Sequence, residues 1–98
     1  QKNSKVDVNN IIKEVGAYYD VSVADILSKK RKKNIAYARQ VAMFLTRELT
    51  GSSFPKIGEA FSGRDHTTIM HGCEKIEKEL KESDELKKAI SDLKQVLS

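Results

Sequence analysis

One aspartate constrains the fold of this chain more than any other residue. Asp65 stands just before a run in which Ile69, Cys73, Ile76 and Leu80 recur at steps of four, three and four. Those steps place the four side chains on one face of an α-helix. The Asp65 carboxylate can cap that helix by accepting from the backbone N–H of Thr67 or Thr68, where it also meets the positive end of the dipole. The leading turn differs from the rest. His66, Thr67 and Thr68 offer short donors, acceptors and methyl groups, and none needs burial. A helix buried along its rear half with a small polar leading turn has the form needed to reach base edges in a DNA major groove.

The residues upstream complete a motif. Gly51 suits a helix C-cap, Ser53 an N-cap and Pro55 the first turn of the next helix. Phe54, Ile57, Ala60 and Phe61 are spaced for a short helix packing inward, with Gly58 allowing close helix–helix approach. Ser62, Gly63 and Arg64 then turn the chain into the helix capped by Asp65. A short helix, a glycine-containing turn and a longer helix over about 53–81 make a helix-turn-helix. Helix formers abound elsewhere, only one proline is present and β-branched alternation is scarce, so the predicted fold is all-α, a compact helical domain.

The charge is unevenly spread. Residues 26–47 hold seven bases (Lys29, Lys30, Arg31, Lys32, Lys33, Arg39 and Arg47) and no acid, so with a total of +4 the remainder nets −3. Five of these cations are consecutive, which keeps Lys29, Lys30 and Lys33 solvated or on phosphate. A short basic run also matches a nuclear-localisation signal. At 98 residues the chain is one domain, 1–98, and Gln1 in place of Met points to a piece of a longer protein. A single cysteine excludes an internal disulfide, and no apolar run reaches membrane-spanning length.

In chain order, Val8, Ile11, Ile12, Val15 and Tyr18 or Tyr19 predict a first amphipathic helix capped by Asp7 and ended by Asp20. Ser22 and Asp25 read as a capping pair for a short turn carrying Val23, Ile26 and Leu27 inward. A long helix from about Asn34 to Leu49 buries Ile35, Ala38, Val41, Ala42, Leu45 and Leu49, with Arg39 and Gln40 off that face and Arg47 roughly on the side of Arg39. From Glu74 the chain alternates six lysines with seven acids around Leu86, Ile90, Leu93 and Leu97, and a fresh helix starts near Ser83. That last segment closes the core from behind or forms a short coiled-coil seam.

Gly63-Arg64-Asp65-His66-Thr67-Thr68-Ile69-Met70-His71-Gly72-Cys73 resembles the signature of the C-terminal origin-binding domain of the bacterial replication initiator family DnaA. Ala38-Arg39-Gln40-Val41-Ala42-Met43-Phe44-Leu45 and Phe54-Pro55-Lys56-Ile57-Gly58-Glu59-Ala60-Phe61 resemble its two other blocks, in order and at the expected spacing. The resemblance implies that Asp65, His66 and Thr67 read bases in the major groove, that Arg31 enters the adjacent minor groove, and that Arg39 and Gln40 meet phosphates. Arg47, Arg64 and Thr68, with Pro55 and Lys56 at a helix start, are further phosphate candidates. The implied partner is double-stranded origin DNA carrying DnaA boxes, an asymmetric repeat of the TTATNCACA type, bound by a monomer. Other initiator protomers, acidic phospholipid and regulatory proteins are implied partners of the full-length protein, in a cytoplasmic, nucleoid-associated setting.

The chemistry elsewhere is sparse. His66 and His71 lie about 140° apart around the helix and cannot share a metal, and Cys73 is the only thiol. His71 is expected to be buried or half-buried. No nucleophile–base pair and no glycine-rich phosphate loop is present, so no enzymatic activity, cofactor or metal is expected in this chain. By resemblance, ATP and its hydrolysis belong to a separate domain of the full-length family member. The rival reading is a basic helical module that docks on an acidic protein or anionic lipid surface.

Overall fold

The computed structural model describes residues 6–98, which form six helices: α1 (Val8–Tyr19), α2 (Val23–Ile26), α3 (Lys33–Thr50), α4 (Phe54–Ala60), α5 (His66–Leu80) and α6 (Asp84–Leu97). The fold is all-α, with no strand among the described residues. Five of the six helices begin at a side-chain cap. Asp7 accepts from Asn10 N at 2.9 Å, Ser22 from Asp25 N at 3.0 Å and Ser53 from Lys56 N at 3.3 Å. Asp65 accepts from Thr67 N at 3.2 Å and Ser83 from Leu86 N at 3.0 Å. Each cap satisfies a backbone donor that the first helical turn leaves without a partner.

Helix α3 is the central element. It packs on α5 and α1, while α4 lies against α5, and α6 closes against α1 and α5. Ile35, Ala38, Val41, Ala42, Met43, Phe44 and Leu45 of α3 are all buried, as Met43 and Phe44 must be for α3 to be covered on more than one side. Phe61, just after α4, is fully buried; truncating such a ring to alanine typically costs about 3–5 kcal/mol. Leu86, Ala89, Ile90, Leu93 and Leu97 of α6 are buried as well. Their seam is filled within the chain, which excludes the coiled-coil alternative for them.

Three sequence expectations are corrected here. Val23 is 44 % exposed, because α2 is a single turn and presents only Ile26 fully to the core. His71 is exposed, lying on the side of α5 opposite the buried Ile69, Cys73 and Ile76 stripe. Arg39 is buried, with only 6 % of its surface exposed, because the face of α3 toward α2 is covered as well as the face toward α5.

The turn between α4 and α5 needs two unusual backbone conformations, Ser62 at φ 68° and Gly63 at φ 74°. It folds back so closely that Arg64 N donates to Gly58 O at 2.9 Å. A methyl group added at Gly58 would overlap the Arg64 carbonyl oxygen, which is backbone and cannot move aside cheaply. Gly58 therefore serves the approach of the turn to α4 first, and the helix–helix packing that the sequence suggests as well, with Ile69 Cγ1 of α5 3.7 Å from where a Cβ would stand. Gly58→Ala is expected to destabilise the domain by about 2–4 kcal/mol, read as a lower urea midpoint with an unchanged m-value.

Candidate nucleic-acid interface

The site is built on the end of α2. A one-turn helix leaves its last carbonyls short of donors, and here four consecutive carbonyls at and just after its end, from Asp25, Ile26, Leu27 and Ser28, each accept from a side chain. Arg39 Nε donates to Ile26 O at 2.6 Å and Arg39 Nη2 to Asp25 O at 3.0 Å. Ser62 Oγ donates to Leu27 O at 2.7 Å, and Arg64 Nη2 to Ser28 O at 2.8 Å. Ser28 Oγ at 2.7 Å and Ser28 N at 3.1 Å also donate to Asp25 O. The stem of the basic loop is thus bound both to α3 and to the turn that launches α5.

Arg39 and Arg64 consequently have roles that their sequence positions do not disclose. Both guanidinium groups are pulled below the ordinary arginine range, chiefly by burial, and for Arg39 by the nearby Arg64 charge as well. Two cations held this close favour an anion between or beside them. No buried side-chain nitrogen among the described residues lacks a partner, and Arg39 Nη1 makes none of the bonds above, so that edge opens to the surface. There it lines a cleft of about 550 Å³ with Lys29, Lys30, Arg31, Gln40, Arg64 and Thr68.

Arg31 and Gln40 also border a second groove, of about 440 Å³, with Lys33 and Lys75. Gly72 sets this arrangement: a Cβ there would lie 3.1 Å from Met43 Sδ and 3.5 Å from Gln40 Cγ, so glycine lets α5 cross α3 closely and keeps Gln40 beside it. Sequence reasoning missed Lys75 by assigning it to the charge-alternating tail. Its signal is the exposed Thr68, His71 and Lys75 at steps of three and four along α5.

The leading turn of α5 stands out to solvent, with His66 58 % and Asp65 68 % exposed at the side chain. Capping uses Asp65 Oδ2; Oδ1 lies 3.7 Å from His66 Nδ1 and keeps lone pairs for an outside donor. Thr67 is half-buried and Thr68 exposed. Pro55 and Lys56 are exposed at the start of α4.

Two of the basic candidates are placed differently from expectation. Lys30 Nζ is 2.9 Å from Asp25 Oδ1, so one of the five loop cations is already paired. Arg47 does not join Arg39: eight residues turn a helix by about 80° beyond two full turns. It donates from Nη1 to Ser52 O at 2.7 Å and sits 4.3 Å from the centroid of the Phe54 ring, bracing the α3–α4 turn. Cys73 nearby is buried, which pushes its thiol up to about 11 and leaves it unreactive at neutral pH. Among the described residues, no cluster of His, Cys, Asp or Glu could hold a metal, and no helix is long and apolar enough to cross a membrane.

A basic loop fixed beside a helix-turn-helix whose second helix exposes a short polar turn defines the class: a helix-turn-helix DNA-binding domain. Residues 8–76 match the family model of the bacterial DnaA protein helix-turn-helix, and the chain belongs to that family. A solved structure described as a DNA replication initiation factor is similar over 98 % of this chain, at 34 % identity and a TM-score of 0.83. This chain covers 29 % of that longer one.

The fork made by Arg39 generates a test. Arg39→Lys keeps the charge but cannot reach two carbonyls at once. It is expected to lower stability by about 1–3 kcal/mol in urea unfolding. Amide exchange should accelerate most at residues 27–30, the stem that Arg39 holds.

Proposed function

We propose that this domain binds one DnaA box in double-stranded origin DNA as a monomer, with the leading turn of α5 in the major groove and the basic loop along the backbone. The observation that carries this reading is the shared bonding of loop stem and recognition turn through Arg39, Ser62 and Arg64. It supports two readers held at a fixed separation. Thr67 can set its methyl against a thymine methyl and its hydroxyl against a base edge, His66 can donate to a base acceptor, and Asp65 Oδ1 can accept from cytosine N4. Arg31, on the ridge between the two grooves, would enter the A·T-rich minor groove, whose narrow, negative floor attracts a guanidinium.

Phosphate contacts are proposed for Lys29, Lys33, Gln40, Thr68, the open edges of Arg39 and Arg64, and the α4 start at Pro55 and Lys56. Lys30 contributes less, being paired with Asp25. Arg47 acts through the α3–α4 turn that positions Lys56. Assembly of protomers, ATP use and origin melting are proposed for the longer initiator, and the expected cytoplasmic, nucleoid-associated setting follows from the same reading. Contacts with acidic phospholipid or regulatory proteins belong to it too.

The test is fluorescence anisotropy with a DnaA-box duplex and a scrambled duplex of equal composition at two salt concentrations. A preference of about a thousandfold or more at the higher salt is expected. Equal, steeply salt-dependent binding would sink specific readout and favour a general basic module. Thr67→Ala is expected to cost about 1–3 kcal/mol on the box and little on the scrambled duplex. Lys29→Ala should weaken both alike and lower the salt slope by about one, with a smaller change for Lys30→Ala because Asp25 already holds that ammonium.

A further inference from the structure

All three tyrosines of the chain converge in one recess, with Tyr37 standing between it and the groove lined by Arg31, Lys33, Gln40 and Lys75. Tyr18 and Tyr19 end α1, and their ring centroids are 5.0 Å apart at 61°. Tyr37 of α3 meets Tyr19 at 5.6 Å and 85°. With Glu79 of α5 and Glu85, Leu86 and Ala89 of α6 they line a recess of about 270 Å³. Tyr37 Oη donates to Glu79 Oε2 at 3.0 Å, leaving the other carboxylate oxygen as an acceptor.

The charged side chains in this lining are both acids, Glu79 and Glu85. Burial, then Tyr18, Glu79 and Glu85, push the Tyr19 hydroxyl up to about 12, and burial followed by the Glu79 hydrogen bond pushes Tyr37 higher. Residues 74–85 carry six acids against three lysines. Lys88 Nζ lies 3.1 Å from Asp92 Oδ2 on the exposed side of α6. Tyrosine rings and carboxylates in one lining suit one ligand chemistry, a cation with apolar flanks. Nucleic-acid phosphate would be repelled there.

We propose that this recess docks a lysine or arginine side chain presented by a basic segment of a partner protein. The cation sits against the tyrosine rings and donates to Glu79, while its aliphatic stem lies along the exposed Tyr18 ring. The carboxylates of Glu79 and Glu85 in the lining attract the basic side chain toward it.

The test is a ¹H–¹⁵N NMR titration of the whole chain with N-acetyl-arginine methylamide and N-acetyl-lysine methylamide. N-acetyl-glutamine methylamide is the neutral control, and tetramethylammonium is a fourth probe. Saturable shifts at Tyr18, Tyr19, Tyr37 and Glu79 with the arginine and lysine probes, absent with glutamine, are expected. Tyr18→Ala, at a side chain exposed enough to leave the fold intact, should weaken them about tenfold, as should Glu79→Gln, while binding of the DNA duplex is unchanged for Tyr18→Ala. Equal shifts with the glutamine probe, or shifts confined to the exposed acids Glu82 and Asp84, would overturn the proposal. Tighter binding of tetramethylammonium than of either amino-acid probe would also overturn it, in favour of a small quaternary ammonium ligand.

Discussion

The carbonyls at the end of α2 are the constraint on which the site depends. A helix of one turn is too short to be stable alone, and each buried carbonyl left without a donor would cost about 1–3 kcal/mol. Arg39 comes from the core helix, and Ser62 and Arg64 come from the turn before α5. Completing α2 and fixing the basic loop against α5 are therefore one set of bonds. The loop cations can remain solvated while the backbone at the loop stem is held in place.

The sequence disclosed most of the architecture because its signals are local. Caps act within three residues and apolar stripes within two turns, so Asp7, Ser53, Asp65 and Ser83 could be assigned from neighbours alone. Arg39 could not. Its partners lie 13 and 14 residues upstream, and an arginine off an apolar stripe reads as surface until a second helix covers that side. Arg47 failed for a smaller reason, the angle that accumulates over eight residues. Within the site, the contiguous polar turn and cation run were legible, whereas the groove joining Lys75 to Arg31 depends on where Gly72 lets two helices cross.

Electrostatics in the first turn of α3 run against stability. Helix α3 is the one helix with no side-chain cap, and Lys32 and Lys33 stand at its positive dipole end. An aspartate or serine there would stabilise the helix by about 0.5–2 kcal/mol. Cations at a site where they weaken the fold are best understood by what they meet outside it. The opposite pattern, six acids against three lysines in residues 74–85, lies on α5 beyond its leading turn and at the start of α6. Charge is thus uneven along α5, whose acids begin only at Glu74 and are interleaved there with Lys75 and Lys78.

This distribution bears on the symmetry of the DNA site. Many helix-turn-helix proteins offer one reading helix per protomer, so they dimerise and their sites are palindromic. Here the loop is fastened to the α5 turn by Arg39, Ser62 and Arg64, and the proposed function makes it a second reader within the same chain. On the proposed reading, Arg31 and the α5 turn meet different grooves with different chemistry, and nothing relates them by a two-fold axis. A domain that bound in this way would read an asymmetric site without a partner, and it would give each bound protomer a direction along the duplex. Clustered sites could then be laid out in either orientation, with the order of protomers set by DNA sequence rather than by a dimer interface.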